Sequence, residues 1–532
     1  MKTYIMKKIF CFYLFFMTSY FLSANDKYPR YLNIDVLHYE FALVLNDSTD
    51  NIEGRTSILI DFKDKADSVV FDLKGFDGDG KGMKVSSVFL NGEAIDWKQG
   101  EEKLLIVFNN IVNRNDTCEF VIEYRGIPAD GLIISKNKFG NRTFFADHWP
   151  NRAHNYLPCI DHPYDKASVD FVITAPDRYK VVASGTMIEE SDLVGPDKLT
   201  HWSEIVPLAT KVMTFGAAEF AVQLSANVRN ITVWSWVYPE NRVEGFYDYS
   251  IAYRPLEFYS SLVGEYPYEK LANVQSKTIW GGLENAGTIF YSENSVTGTG
   301  RAEGLIAHEI AHQWFGDCVT EADWYHVWLS EGFATYLTSL YFENVQGRDR
   351  LESDMASART RVLRYYDRNP RPVIDTTVTN LMALLNANSY QKGAWFLHML
   401  RNDLGNEVFT KGLRLYYQRF YNSNALTKDF MNIMEEVSAK NLDKFFRQWL
   451  YRAGQPELSI RQESGRKKGT TEIIIEQKQP ELFEFKLQLL IKDKSGEMVE
   501  NVSVKERITK LVVLSENVSE IVPDPFINLL FR

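Results

Sequence analysis

Two histidines four residues apart, with a glutamate beside the first, are the residues of this sequence that are best placed to do chemistry. They lie in "GLIAHEIAHQWFGD", residues 304–317, as His308, Glu309 and His312. On a helix, residues four apart share one face about a turn from each other, so both imidazoles can reach one ion. Glu309 can then point at a water molecule in the ion's open coordination position. The alternative is an amphipathic helix whose histidines only contact its neighbours.

A carboxylate on the next predicted helix favours the metal site. A catalytic zinc usually takes three protein ligands and keeps a fourth position for water. "WLSEGFATYL" places Glu331 in the first turn of a helix, 19 residues after His312. This spacing allows one helix to end and an antiparallel helix to return a carboxylate to the ion. Because a glutamate buried in this apolar, aromatic context without a cation would be costly, we predict one Zn²⁺ per chain, bound by His308, His312 and Glu331.

The helices that must position these residues belong to the middle one of three predicted domains. Over residues 25–225, short runs such as "RTSILIDF" and "CEFVIEY" alternate apolar and polar residues between turn signals, which indicates an antiparallel β-domain. Over residues 226–453, apolar residues recur at helical spacing, with a few strands such as "ITVWSWVYP" at the start. Strand patterns return over residues 454–532. The sequence therefore predicts a multidomain α+β protein.

The charge and the N-terminal segment limit which partners and which cellular location the sequence predicts. The net charge of −11 argues against a nucleic acid as partner. A lysine-containing start, the apolar run "IFCFYLFFMTSYFL" and the small residues of "LSAN" predict a signal peptide over residues 1–24. An uncleaved anchor is the alternative, but the run is shorter than the roughly 20 apolar residues that a spanning helix needs. No later stretch is long and apolar enough to span, so we expect an exported protein, periplasmic or secreted, without a stable membrane partner.

The cysteines that follow the signal peptide are few. Cys118, Cys159 and Cys318 allow at most one disulfide, and buried free thiols are the favoured interpretation.

Several motifs together resemble the gluzincin aminopeptidases, the family of aminopeptidase N and leukotriene hydrolase. "HEIAHQWFGD" followed by "WLSEGFATY" resembles the zinc motif of that family. "WGGLENAG", residues 280–287, is similar to its Gly-x-Met-Glu-Asn signature, with Leu283 in place of methionine. "YLPCIDHPYDKAS" resembles an N-terminal Pro-Cys-x-Asp-Glu-Pro element, with His162 where glutamate is usual. "SYQKGAWFLHML" matches the stretch that carries the catalytic tyrosine of the family.

The resemblance extends over nearly the whole chain and implies its fold. It implies an N-terminal β-domain, a thermolysin-like α-rich catalytic domain and a C-terminal β-sandwich domain, because "FFRQWLYRAGQPEL" resembles the junction into the third domain of the family. The sequence stops at "DPFINLLFR", whereas many relatives continue into a large helical domain that closes over the site. We therefore expect a short form with a more open cleft.

The resemblance also implies an activity, the hydrolysis of the first peptide bond of peptides with a free N-terminus. Glu309 would act as general base, and Tyr390 would donate its hydroxyl to the oxyanion of the tetrahedral intermediate. A carboxylate near the metal, Glu284, would hold the substrate's α-ammonium through charge-assisted hydrogen bonds. The glycines before it would let an extended substrate backbone approach closely. The predicted substrate-binding residues of this segment are Gly281, Gly282, Leu283, Glu284 and Asn285.

One departure from the family pattern bears on the α-amine. An ungapped count back from Cys159 places Asp147 where many family members carry a glutamine that assists the amine. We hypothesise that Asp147 supplies a second acid there. A second departure, Leu283, replaces a flexible methionine that lines the first side-chain pocket in relatives, so a broad apolar preference is expected.

Two other readings compete with a zinc aminopeptidase. A thermolysin-like endopeptidase would carry the same HExxH motif and distant glutamate, but it would have no use for Glu284, since a bound α-amine has no place in internal cleavage. A non-catalytic binding protein on the same fold would have lost ligands or the base, yet both histidines, Glu309, Glu331 and Tyr390 are present. An epoxide hydrolase activity rests on kinship with leukotriene hydrolase alone.

Overall fold

The N-terminal part of the chain consists almost entirely of strands, as its alternating pattern predicts. The computed structural model describes residues 26–532, so the predicted signal peptide, residues 1–24, lies outside the described residues. The strands of this part are β1 (Ile34–Val44), β2 (Ile52–Phe62), β3 (Ala66–Asp72), β4 (Gly82–Leu90), β5 (Glu93–Ala94), β6 (Trp97–Gln99), β7 (Lys103–Val112), β8 (Thr117–Ile127), β9 (Leu132–Lys136), β10 (Arg142–Ala146), β11 (Ala167–Pro176), β12 (Lys180–Ala183), β13 (Thr186–Asp192), β14 (Asp197–Leu208) and β15 (Phe215–Ala218).

These strands form three sheets. An eight-stranded sheet has the order β13-β14-β11-β1-β2-β8-β4-β5, a four-stranded sheet the order β12-β15-β10-β9, and a three-stranded sheet the order β3-β7-β6. The prediction of a purely antiparallel domain is wrong at one place, because β1 and β11 are parallel, with Tyr39 opposite Val169. Parallel neighbours need a long crossover connection, which the intervening strands supply here. Alternation within a strand does not reveal such a long-range pairing.

A five-stranded sheet begins the middle part of the chain. It contains β16 (Ala221–Val228), β17 (Ile231–Val237), β18 (Lys270–Ser276), β19 (Gly282–Leu283) and β20 (Thr288–Ser292), in the order β16-β17-β18-β20-β19. The predicted domain boundary after residue 225 falls inside β16, which pairs with β17 of this sheet. The hairpin of β16 and β17 therefore spans the predicted boundary.

Helices dominate the middle part, as the helical spacing predicts. They are α1 (Arg242–Tyr249), α2 (Tyr253–Leu262), α3 (Glu303–His312), α4 (Trp328–Gln346), α5 (Arg348–Tyr366), α6 (Gly393–Leu404), α7 (Asn406–Arg419), α8 (Thr427–Ser438) and α9 (Asp443–Phe446), with a short parallel pair β21 (Val319–Glu321) and β22 (Ser423–Ala425). The first half of α4 is buried on all sides, and such a helix lies in the core of a domain. It packs against α3, α5 and α6. Among residues 26–532, no helix is long and apolar enough to cross a membrane.

The C-terminal part returns to strands. One three-stranded antiparallel sheet has the order β23-β24-β27 and the other the order β26-β25-β28. The strands are β23 (Leu458–Ser464), β24 (Thr471–Gln477), β25 (Phe485–Asp493), β26 (Gly496–Val504), β27 (Ile508–Val513) and β28 (Glu520–Pro523). The three cysteines of the described chain are buried and unpaired, which confirms the expectation of free thiols.

A half-buried histidine anchors the segment between β10 and β11, which passes close to the predicted metal site. His154 Nδ1 lies 2.7 Å from Asp161 Oδ2, and its Nε2 lies 3.4 Å from Glu102 Oε2. Burial opposes charge on the imidazole, but Asp161 and Glu102 together raise the pKa of His154 to about 10. The imidazolium therefore links two parts of the segment between β10 and β11 to the turn that precedes β7.

We predict that His154→Gln destabilises the protein most at low pH. A histidine of the unfolded chain loses its proton near pH 6.5, at its usual pKa of about 6.5. The contribution of the charged His154 is therefore complete below about pH 6.5 and is lost as the pH rises towards its folded pKa of about 10. Thermal unfolding followed by circular dichroism should show the wild type several degrees more stable at pH 6 and the difference shrinking by pH 10. An equal difference at both pH values would contradict the prediction.

Candidate metal centre and substrate cavity

The end of α3 and the first turn of α4 bring the three predicted metal ligands together. His308 Nε2 and His312 Nε2 are 3.2 Å apart. Glu331 Oε2 lies 3.4 Å from the first of these atoms and 3.3 Å from the second. In the described chain, these three residues are the only group of histidine, cysteine and acidic side chains close enough to share one ion. The predicted triad is therefore assembled by the fold.

Contacts behind the ligands fix their orientation. Ser330 Oγ lies 2.9 Å from His312 Nδ1, so this imidazole turns its Nε2 towards the other two ligands. A hydrogen-bonded second nitrogen is the usual way to orient a metal-binding histidine. Gly316 leaves room for this contact, because a Cβ there would lie 2.4 Å from Ser330 Oγ and 2.9 Å from His312 Nδ1. Gly316 also has a φ of +130°, which few other residues adopt.

The charges around the triad favour a bound cation. Two imidazoles face three buried carboxylates, those of Glu284, Glu309 and Glu331. Although burial disfavours charge on the imidazole, these carboxylates raise the pKa of His312 to about 10. Burial and the neighbouring carboxylates also raise the pKa of Glu309 well above its usual range. Two imidazoles and one carboxylate are a common ligand set of catalytic zinc, and the excess of negative charge fits a dication.

A cavity of about 210 Å³ opens over the triad. It is lined by Trp149, Trp280, Gly281, Gly282, Leu283, Glu284, Leu305, His308, Glu309, Glu331, Leu385 and Tyr390. Most of the residues that the sequence predicts at the site therefore meet in one place. Sequence reasoning missed Trp149, Trp280, Leu305 and Leu385. Only Trp280 had a local signal, because it directly precedes the Gly-Gly-Leu-Glu-Asn segment.

The two glycines of that segment differ in their surroundings. A Cβ on Gly282 would lie 2.3 Å from Glu309 Oε1, so the missing side chain makes room for the predicted general base. The space beside Gly281 is open, since a Cβ there would meet only Leu305 Cδ1, at 3.8 Å. The close approach of a substrate backbone is therefore possible at Gly281, whereas Gly282 is needed for packing against α3.

Tyr390 reaches the metal site because two helices approach each other at glycines. It lies in a π-helical turn, Asn388–Lys392, that leads into α6. A Cβ on Gly332 would lie 2.9 Å from Gly393 Cα, so only glycine allows this separation between α4 and α6. The Tyr390 ring lies nearly parallel to the His308 ring, with centroids 6.0 Å apart and an interplanar angle of 13°. The phenol therefore stands on the cavity side of the triad.

Glu284 lies at the other side of the cavity, with a free carboxylate oxygen. The residue is 5% exposed, and its Oε1 has no hydrogen-bond partner among the described residues. Gln313, which follows the second histidine ligand, fixes the main chain around it. Gln313 Nε2 donates to Glu284 O at 2.8 Å, and Gln313 Oε1 accepts from Gly287 N at 2.8 Å. The position of Glu284 is thereby fixed relative to the metal-binding helix.

Two predicted substrate-binding residues lie outside the cavity lining. Asn285 follows Glu284 and is buried, and its side-chain amide has no hydrogen-bond partner in the described chain. Asp147 is fully buried, and protein donors occupy both of its oxygens. Oδ1 accepts from Arg152 Nη2 and from Trp280 Nε1, and Oδ2 accepts from Thr278 Oγ1 at 2.9 Å and from the amide that follows it at 3.2 Å. In this geometry the carboxylate of Asp147 is engaged by protein donors rather than open to the cavity, and its contact with the substrate's amine stays a prediction.

Comparison with known families places the chain. The profile of the peptidase M1 N-terminal domain matches residues 36–212, and that of the peptidase family M1 domain matches residues 247–449. Together these segments contain most of the N-terminal sheets, the metal triad and Tyr390. The chain therefore belongs to peptidase family M1.

Curated relatives of this family are longer than the chain. A probable aminopeptidase 2 of Sulfurisphaera tokodaii is 26% identical over 403 residues, which cover 72% of this chain and 50% of the relative. A leucyl aminopeptidase of Saccharolobus solfataricus is 26% identical over 460 residues, which cover 80% of this chain and 54% of the relative. A glutamyl aminopeptidase of Sus scrofa is 27% identical over 332 residues, which cover 59% of this chain and 35% of the relative. The chain thus spans about half the length of the first two relatives.

A solved structure supports the fold. The M1 zinc metallopeptidase of Deinococcus radiodurans superposes with a TM-score of 0.67 at 24% identity, over 79% of this chain and 94% of that chain. A mutant of that enzyme, bound to a Tyr-Ser-Ala substrate, gives a TM-score of 0.67 at 23% identity, over 80% of this chain and 96% of that chain. The N-terminal β-rich part and the helical part are therefore arranged as in an M1 peptidase.

We predict that the triad holds zinc and that zinc stabilises the fold. Metal analysis of the purified protein should find zinc, and His308→Ala or Glu331→Gln should remove it. Excess zinc should raise the melting temperature of the stripped wild type, because a ligand that binds only the folded state at about 1,000 times its Kd adds about 4 kcal/mol. The two variants should not respond. Glu309→Gln is the matched control, since it changes a buried carboxylate beside the ligands and should keep the metal. Zinc retained by His308→Ala would contradict the assignment.

Proposed function

We propose that this protein is a zinc-dependent aminopeptidase that hydrolyses the first peptide bond of peptides with a free N-terminus. The observation that carries the proposal is the carboxylate of Glu284, which lines one small cavity together with the predicted ligands His308 and Glu331 and whose Oε1 has no hydrogen-bond partner among residues 26–532. A carboxylate at that place recognises a cation, and the α-ammonium is the only cation common to all peptides with a free N-terminus. The aminopeptidase names of the relatives support the same activity.

The cavity orients such a peptide in one direction. With the ammonium on Glu284, the N-terminal residue fills the cavity, and the first carbonyl lies on the side of the triad. The strand β19 pairs only with β20 among the described strands, so its other edge is free to accept an extended backbone beside Gly281. Backbone pairing at a free strand edge is a common mode of peptide recognition.

Each residue around the metal site then has a separate role in the reaction. When bound, one zinc per chain would polarise a water molecule and the scissile carbonyl and lower the pKa of the water to about 7. Glu309, held against Gly282, takes a proton from the attacking water and returns it to the leaving amine. Tyr390, on the cavity side of His308, donates its hydroxyl to the oxygen of the carbonyl as negative charge develops there.

Three further features belong to the same proposal. The apolar N-terminal run supports export, with action in the periplasm or outside the cell. The two C-terminal sheets present buried apolar residues such as Ile473, Ile475, Leu487 and Leu489, which suits a β-sandwich domain. The endopeptidase alternative shares the triad and the base, and it is disfavoured only by the carboxylate of Glu284 in the cavity.

We predict that activity requires a free α-amine and that Glu284 provides this requirement. The wild type should hydrolyse leucyl-p-nitroanilide and not its N-acetylated form. Glu284→Gln keeps the size of the side chain and removes its charge, so KM should rise by about 10- to 100-fold, the effect of one hydrogen bond to a charged group. Steady-state kinetics on both substrates would measure this. Wild-type activity on the blocked substrate alone would indicate the endopeptidase.

We predict that Tyr390→Phe lowers kcat and leaves KM nearly unchanged. The substitution keeps the ring beside His308 and removes only the hydroxyl. Loss of one oxyanion donor lowers kcat by about 100- to 1,000-fold. Zinc analysis of the variant controls for loss of the metal. An unchanged kcat would exclude Tyr390 as the oxyanion donor, whereas a rise in KM alone would assign it to substrate binding.

A further inference from the structure

A buried carboxylate and guanidinium lie directly behind the two tryptophans of the cavity. Asp147 forms an ion pair with Arg152, and the same oxygen, Oδ1, accepts a hydrogen bond from Trp280 Nε1 at 3.3 Å. The other oxygen accepts from Thr278 Oγ1 and from the main chain of residue 279. Asp147 thus uses both of its oxygens to hold residues 278–280, the segment that leads to Glu284.

Arg152 holds the second tryptophan by its main chain. Arg152 Nε donates to Trp149 O at 2.8 Å, and its Nη1 donates to Asp130 Oδ1 at 3.0 Å. Its remaining arm contacts Asp147. One ion pair of the N-terminal part therefore connects the main chain of Trp149 to the indole of Trp280, although the tryptophans belong to different parts of the chain.

The two indoles meet nearly at a right angle. Their ring centroids are 5.9 Å apart and their planes differ by 84°. Trp149 also packs edge-on against Trp324, at 5.7 Å and 79°. Trp149 is 2% exposed and packs against a tryptophan on either side, whereas Trp280 is half-buried and its indole N–H donates to Asp147. Leu283, Leu305 and Leu385 complete an apolar wall around this corner.

We propose that Asp147 and Arg152 are positioning residues that set the Trp149–Trp280 corner as a subsite for a large aromatic side chain on the N-terminal residue of the substrate. This inference rests on the proposed function, since it assumes that a free N-terminus occupies the cavity. An aromatic ring gains most from a corner of two perpendicular indoles, because edge-to-face and offset-stacked contacts are both available there. A methyl side chain would reach neither indole.

The carboxylate of Asp147 is fully buried, so removing Arg152 would leave its charge without an ionic partner, which is strongly destabilising in general. An isosteric change at Asp147 that keeps the volume is therefore the gentlest test. Trp280→Phe is a second variant that leaves the ion pair intact and removes only the indole N–H and part of the ring.

The inference is tested by binding rather than turnover. In a zinc-loaded Glu309→Gln background, isothermal titration calorimetry measures the affinities of Tyr-Ala-Ala and Ala-Ala-Ala. The unmodified protein should bind Tyr-Ala-Ala more tightly than Ala-Ala-Ala. Asp147→Asn should reduce the ratio of these two affinities by about tenfold, the size of one lost hydrogen bond to a charged group. Trp280→Phe should reduce it as well. If Asp147 acts through Trp280, the double variant should lose less than the product of the two single losses.

A matched control separates positioning from general destabilisation. Asp524 is also a buried carboxylate paired with an arginine beside a tryptophan: Arg359 Nη2 lies 2.5 Å from it, and the guanidinium carbon lies 5.1 Å from the Trp395 ring centroid. This trio does not line the cavity, so Asp524→Asn should leave the ratio unchanged. An unchanged ratio in Asp147→Asn, or an equal loss for both peptides, would overturn the inference. The latter result would restore Asp147 to the amine site.

Failure of the proposed function would look different. A wild type that hydrolyses no aminoacyl substrate, or only blocked ones, would refute the aminopeptidase while the ratio of the two peptide affinities still reports on the corner. Conversely, an active wild type whose peptide ratio does not depend on Asp147 or Trp280 would refute only the subsite.

Discussion

The active-site architecture depends on the junction between α3 and α4. One helix ends with two histidines and the next begins with a glutamate, so the three ligands converge only if the intervening loop returns the chain by a fixed amount. The hydrogen bond between Ser330 and His312 holds the two helix ends together, and Gly316, within the loop, leaves room for it. Tyr390 and Glu284 are then placed relative to the triad by α6 and by Gln313, respectively.

The N-terminal part holds the same loop from outside. Lys166 Nζ donates to Asp317 O at 2.9 Å and to Cys318 O at 2.8 Å, and the buried Lys211 lies 2.6 Å from Glu321 Oε1. Each buried charge would be unfavourable alone and is tolerable because it is paired or hydrogen-bonded. The β-rich part is therefore more than a neighbour of the site. It supplies one lysine that donates to two carbonyls of the loop between the ligands and another that pairs with Glu321, and it contributes Trp149 to the cavity.

Much of the site could be predicted because its signal is local. The spacing of His308, His312 and Glu331 follows from helical geometry, and the helical and strand periods gave the order of β-rich, helical and strand-rich parts. The features that were missed depend on contacts between distant segments. Nothing near Asp147 shows that Arg152 and Trp280 would occupy its oxygens, and nothing in β1 shows that β11 lies beside it. The role of Gly282 depends likewise on the position of Glu309 in another element.

His162, the histidine that stands where the family pattern has glutamate, is also held by contacts with distant segments. His162 Nε2 lies 2.8 Å from Asp26 Oδ2, and its ring stacks on Tyr28 with centroids 4.6 Å apart. Trp324 N donates to the same carboxylate at 3.2 Å, and its indole packs on Trp149 at the cavity. Burial raises the pKa of Asp26, but His162 and these donors outweigh it and lower that pKa to about 2. The carboxylate of Asp26 therefore joins His162 to Trp324, and through the packing of Trp324 on Trp149 these contacts reach the wall of the cavity.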